Sequence, residues 1–107
     1  SVDEDSQSIK DRKNLSANGF LEATIMITPK GNIHKRPVLT FRGIPIDDVE
    51  EFVYELEDEI EEITRTFKLG SKRQEHNLID ALKIACRKFS KEKTGKKPFT
   101  NINLVRI

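Results

Sequence analysis

Ser90-Lys91-Glu92-Lys93-Thr94-Gly95-Lys96-Lys97-Pro98-Phe99-Thr100-Asn101-Ile102-Asn103-Leu104-Val105-Arg106-Ile107 is the stretch that decides the fold. It reads as a helix end, a basic turn and an apolar strand. Gly95 is the residue type that a helix C-terminus takes in the left-handed conformation, and the lysines around it suit the negative end of the helix dipole. Pro98 forbids further helix and opens an extended segment. A strand placed last must pair with one made earlier, so this segment fastens a small sheet.

Working back from it, two helices are expected. The second runs from near Gln74 or Glu75 to about Lys93, with Leu78, Ile79, Leu82, Ala85, Cys86 and Phe89 as its apolar stripe. Ile84 falls off that stripe and is expected at the surface. The first starts at Asp47 or Asp48, a residue type that caps helix N-termini, with acids in its first turn. Val49, Phe52, Val53, Leu56, Ile60, Ile63 and Phe67 then recur at intervals of three and four. They span an arc of roughly 100°, which makes an amphipathic helix. Leu69-Gly70-Ser71 stops it, and Tyr54 lies on its charged side.

Ahead of the helices, the pattern changes from a period near 3.6 to a period of two. Leu21, Ala23, Ile25 and Ile27 alternate with Glu22, Thr24 and Met26, as in a strand buried on one face. Lys30-Gly31-Asn32 marks a hairpin tip. A second strand follows from about Arg36 to Phe41, with Pro37 near its start as an edge strand tolerates. The order is ββααβ. The fold class is α+β: a two-layer sandwich in which two antiparallel helices cover one face of a three-stranded sheet. Pattern alone leaves open whether the last strand pairs with the first or the second. The uncovered face also carries apolar residues, among them Phe20, Met26 and Val105, and is left for another copy or another domain to cover.

At 107 residues the chain holds one domain at most. Residues 1–14 are polar and aperiodic and read as a linker or disordered flank; residues 15–107 form the domain. A start at Ser1 rather than Met suggests a piece of a longer polypeptide. No apolar run is long enough to cross a bilayer and no signal-peptide pattern opens the chain. The single cysteine, Cys86, has no internal partner, which fits a reducing cytoplasm. The net charge of +1 conceals segregation: ten acids and no base from Asp47 to Glu62, then eleven bases against three acids from Ile63 to Pro98. The simplest account lays the basic helix beside the acidic one.

This layout resembles the C-terminal domain of bacterial ribonuclease J. Ala17-Asn18-Gly19-Phe20, Pro29-Lys30-Gly31-Asn32 and Pro37-Val38-Leu39-Thr40-Phe41-Arg42-Gly43-Ile44-Pro45 resemble that family's opening hairpin, the last of them most like alphaproteobacterial members. The acidic helix and the Lys91-Glu92-Lys93-Thr94-Gly95-Lys96-Lys97-Pro98 turn before a final strand stand where the family has them. The resemblance implies a parent enzyme that processes and degrades RNA, as an endonuclease and a 5′–3′ exonuclease. Its zinc sits in a metallo-β-lactamase and β-CASP core. The family's His-x-His-x-Asp-His motif has no counterpart here, so no catalytic residue is carried over and no cofactor is expected in this segment. The implied role is accessory, supporting oligomer assembly and activity. The implied partners are another copy, the catalytic core, and RNA through the parent, with no membrane.

Candidate site residues are therefore contacts rather than catalysts. Phe20, Met26, Ile84 and Val105 are candidates for self-association or domain contact. Lys88, Lys91, Lys93, Lys96 and Lys97 are candidates for RNA phosphate contact, although helix capping and pairing with the acidic helix explain them equally well. Phe20, Phe41 and Phe99 are placed where bases stack in some sheet-based RNA binders, but packing is the simpler role. His34 and His76 are too far apart in sequence to suggest a metal site, and Cys86 on an apolar stripe reads as a small buried hydrophobe.

Overall fold

The computed structural model describes residues 18–107, so the 1–14 flank lies outside the described residues. The elements run β1 (Phe20–Ile27), β2 (Val38–Arg42), α1 (Val49–Arg65), α2 (Lys72–Thr94) and β3 (Phe99–Arg106). The sheet order is β2-β1-β3, which answers the question that pattern left open. β1 is antiparallel to β2, with Phe20 opposite Arg42 and Thr24 opposite Val38. It is parallel to β3, with Phe20 beside Phe99 and Ile27 beside Arg106.

Strand alternation sorts the sheet into two faces. Leu21, Ala23, Ile25 and Ile27 of β1 are fully buried, and Thr100 and Ile102 of β3 join them on the helix side. Each helix meets that face with residues spaced by four: Phe52, Leu56, Ile60 and Thr64 from α1, and Leu78, Leu82, Cys86 and Ser90 from α2. Spacing by four follows one ridge of a helix, so each helix lays a single row along the core. Phe52 links the layers, its ring 5.9 Å from Phe41 of β2 and 5.3 Å from Phe89 of α2. Burying each large aliphatic or aromatic side chain is worth about 1.5–3 kcal/mol, against about 0.3–1 kcal/mol for a dipole effect. Packing therefore sets where the helices lie, and the caps set where they start and stop.

Those caps refine the expected boundaries. Asp48 caps α1, its carboxylate accepting from the Glu51 N–H at 3.1 Å. α1 ends at Arg65, two residues before the end of its apolar pattern, because the Thr66 and Phe67 N–H groups tighten onto the Ile63 and Thr64 carbonyls. Phe67 lies past the helix yet still packs on the core. Ser71, expected to help stop the first helix, instead caps the second through the Gln74 N–H at 3.2 Å, so α2 begins at Lys72. Val49 opens α1 at the surface instead of joining its stripe. β2 starts at Val38 rather than Arg36, since Pro37 offers no N–H and Arg36 is drawn toward α1. Ile107 lies just past β3, its N–H donating to the Ile27 carbonyl at 3.0 Å.

Two glycines show different constraints. Gly95 caps α2 with φ +77°, and a Cβ there would meet nothing within 4 Å. Gly19, at φ +85°, sits in the corner where β1 begins; a Cβ there would come 2.7 Å from Ile44 Cγ1 and 2.8 Å from the carbonyl oxygens of Arg42 and Gly43. Gly95→Ala is expected to lose about 1–2 kcal/mol from left-handed strain alone. Gly19→Ala must also displace backbone and should lose clearly more in urea unfolding. Equal losses would show that the corner is looser than described.

Candidate functional site

The face of the sheet turned away from the helices has a definite pattern. At one end the Phe20 and Phe99 rings stack, with centroids 6.3 Å apart and planes 16° from parallel. At the other end lie Met26 and Val105, which the parallel register places side by side, with Val38 on the neighbouring β2. Phe99 is 39% exposed, Val105 41% and Val38 53%. Between the two ends runs a polar strip. Asn103 Nδ2 donates to Glu22 and, at 3.4 Å, to Thr24 Oγ1; Asn101 Nδ2 donates to Glu22 Oε1 at 3.4 Å and to Asn103 Oδ1 at 3.3 Å. The parallel pairing of β1 with β3 aligns Glu22 with Asn101 and Thr24 with Asn103. This network was not legible beforehand, because the two strands are about eighty residues apart and their pairing was open.

Phe20, Met26 and Val105 thus share the open face, as the strand pattern placed them. Ile84 does not. It is 69% exposed on α2, on the opposite side of the molecule from the open face, in a shallow groove with Arg87, Lys88, Lys91, Glu92 and Lys97. The five candidate lysines are not all turned to one groove. Lys93 turns to α1 and pairs with Glu55 at 2.7 Å, its ammonium lying 5.8 Å from the Phe89 ring centroid. Lys88, Lys91 and Lys97 line the groove around Ile84, and Lys96 lies outside it. Phe41 packs on the core and is not offered for stacking.

The acidic helix is not neutralised mainly by its basic neighbour. Lys93–Glu55 is the ion pair joining α1 to α2 among the described residues. Three more α1 carboxylates are gathered by Arg36 of the β1–β2 connection: Glu57, Asp58 at 3.0 Å and Glu61 at 3.5 Å. Its guanidinium also reaches the Tyr54 carbonyl at 3.4 Å and lies 5.2 Å from the Tyr54 ring centroid. Those carboxylates hold the Arg36 guanidinium well above its ordinary range. Arg106 is a second arginine clamp, bonding Glu75 of α2 and, at 2.7 Å, the Leu69 carbonyl. A lone arginine in a loop gives no sequence signal of this kind; only the fold brings it over one turn of carboxylates.

His34 lies in the β1–β2 connection, while His76 sits exposed on α2, 3.4 Å from Asp80. Among the described residues no group of three or more His, Cys, Asp or Glu side chains is placed to hold a metal ion, and no helix is long and apolar enough to cross a membrane. Cys86 is fully buried, and burial pushes its thiol up to about 12.

A mixed three-stranded sheet, roofed on one side by two helices and covered on the other by no element among the described residues, defines a small α+β domain. The chain belongs to the ribonuclease J C-terminal domain family, whose model matches residues 7–107. That match opens inside the segment read as a flank. No curated protein matches the chain at a significant level.

Two outcomes follow from the ionisable groups. The Lys93 ammonium, through a hydrogen bond, holds the Glu55 carboxyl below its ordinary value of 4.5, and Glu55 holds Lys93 above its ordinary 10.5. The Glu55 contribution is therefore present above pH 4.5 and is lost as pH falls through the lowered value. The Lys93 contribution is present below pH 10.5 and is lost as pH rises through the raised value. The stability difference between the unsubstituted chain and Glu55→Gln should thus be seen near neutrality and shrink in acid; both groups are exposed, so it is small. Cys86, for its part, should react with iodoacetamide only as fast as the domain unfolds, and rapid alkylation of the native chain would contradict its burial.

Proposed function

We propose that this chain is the non-catalytic accessory domain of a ribonuclease J, acting in the cytoplasm to hold the parent enzyme in its working assembly. The parent would supply the zinc-dependent chemistry that processes and degrades RNA, cutting internally and from the 5′ end. The family match supports the parentage. The open sheet face carries the assembly role, with a second copy of this domain as its occupant and the catalytic core as a neighbouring contact.

The pattern of that face favours a second copy. A two-fold axis through the polar strip would set the Phe20–Phe99 end of one copy on the Met26–Val105 end of the other, in an isologous contact. The Glu22–Asn101–Asn103 network would meet its own image at the axis and fix the register. Size sets the strength. Two strands of eight residues and one of five, rising about 3.3 Å per residue and about 4.8 Å apart, give roughly 330 Å² per partner. That is under half of a standard interface, about 800 Å² per partner, so the isolated domain should associate weakly and the parent's other contacts should complete the assembly.

Sedimentation velocity across a wide concentration range is the test. The expected result is a concentration-dependent dimer that Phe99→Glu or Val105→Glu shifts to monomer while the thermal midpoint stays near that of the unsubstituted chain. A particle that remains monomeric at the highest concentrations, or a dimer indifferent to both substitutions, would remove the open face from the assembly role.

A further inference from the structure

At the α1 C-terminal end of the helical layer, the β1–β2 and α1–α2 connections enclose a cleft of about 750 Å³. Its volume lies within the ordinary range for binding sites, about 300–1,000 Å³. Its walls are tied down. The Gly31 N–H donates to the Thr28 carbonyl and the Thr28 N–H to the Asn32 carbonyl, both at 2.8 Å, closing the first loop. A Cβ at Gly31 would rest 3.4 Å from Leu69 Cβ, so this loop lies against the second connection. There Leu69 is buried, Arg106 holds its carbonyl, and the Gly70 N–H donates to Gln74 Oε1 at 2.8 Å.

The charge in the cleft is one-sided. Lys30, Lys35, Arg65 and Lys68 line it, all exposed, and none has a carboxylate partner among the described residues. Glu61, the acid in the lining, is already answered by Arg36. Lys72 and Arg73 follow at the surface in the first turn of α2, where the helix dipole disfavours cations. Glu75 in the same turn follows the rule but is bonded to Arg106, and α1 opens on Glu50 and Glu51. Arg65 alone is explained by its place in the last turn of α1; the other cations gain nothing from the fold. A local rule broken without structural compensation is where function is expected.

We infer that this cleft receives the sugar–phosphate backbone of single-stranded RNA, with Lys30, Lys35, Arg65 and Lys68 as its phosphate contacts. The inference rests on the ribonuclease J reading for the kind of nucleic acid at hand. Surface composition favours a polyanionic strand over a protein. A protein-docking surface has an apolar centre, whereas Ile33, Phe67 and Leu69 of this lining pack on the core, and the exposed large apolar side chains, Val38, Phe99, Val105 and Ile107 at the sheet and Val49, Tyr54 and Ile84 on the helices, all lie outside this cleft. Flexible cations bind phosphates as point charges without reading bases. The cleft and the open sheet face are separate surfaces, so a dimer formed through the sheet leaves the cleft accessible.

The experiment titrates the whole chain with an oligouridylate of about 12 nucleotides by fluorescence anisotropy at several salt concentrations. Lys30→Gln, Lys35→Gln and Lys68→Gln combined should weaken binding by about tenfold or more at low salt. The salt slope should fall by about 2, at about 0.7 for each phosphate contact removed. Lys88→Gln, Lys91→Gln and Lys97→Gln combined should leave binding nearly unchanged. Amide shifts in the unsubstituted chain should cluster in residues 29–36 and 64–70, a readout independent of any variant's folding. No binding, shifts confined to the C-terminal half of α2, or equal binding of a polyglutamate peptide would each overturn the proposal. Absence of RNA binding by the unsubstituted chain beside an intact sheet-mediated dimer refutes the cleft alone. A reading frame without a nuclease core upstream would instead refute the parentage while leaving measured binding in place.

Discussion

The parallel pairing of β1 with β3 is the constraint on which the rest of the structure depends. A parallel neighbour cannot be reached by a hairpin, so the chain must cross over a face of the sheet before β3 is laid down. β2, α1 and α2 are all made in that interval. β2 turns back as an antiparallel edge, and the two helices fill the crossover on one side. The result is a central strand with fully buried Leu21, Ala23, Ile25 and Ile27 on one face, and an opposite face that no element of the described chain covers. The same pairing builds the polar strip, since it alone sets Asn101 beside Glu22 and Asn103 beside Thr24.

Charge acts on this frame as a set of local ties. Arg36 draws the β1–β2 connection onto the middle of α1, Arg106 fixes the end of β3 to the helix connection, and Lys93 joins the far ends of the two helices. All three are exposed and each is weak by itself. Their value is positional. The Arg36 clamp occupies three of the α1 acids, and the cations beyond it at the α1–α2 turn have no carboxylate partner among the described residues. Segregation that looked like helix-to-helix neutralisation is therefore only partly spent within the domain, and Lys30, Lys35, Arg65 and Lys68 gather at the cleft.

These two outcomes divide the surface by chemistry. The open sheet face, apolar at its ends and polar in its middle, suits a protein surface of matching pattern. The cleft between the connections, cationic and outside the large exposed apolar side chains, suits an anionic strand. Under the proposed reading, a domain carried by an RNA-degrading enzyme would have use for both, since assembly and substrate guidance need not compete for the same residues. Neither proposed role requires a catalytic group.

The order of the elements, the stripe of α2, the alternation of β1 and the exposure of Ile84 were all determined by the sequence alone, because period and capping chemistry are local properties of the chain. Asp48 and Gly95 act where local rules put them. The family resemblance was likewise carried by short stretches in order. Tertiary structure alone decided the partner of β3, the Glu22–Asn101–Asn103 network, the Arg36 and Arg106 clamps, and the gathering of Lys30 and Lys35 with Arg65 and Lys68. Each of these joins residues that are distant along the chain. Periodicity reports which side of an element faces the core, whereas strand pairing and loop apposition are fixed by how the buried faces fit one another.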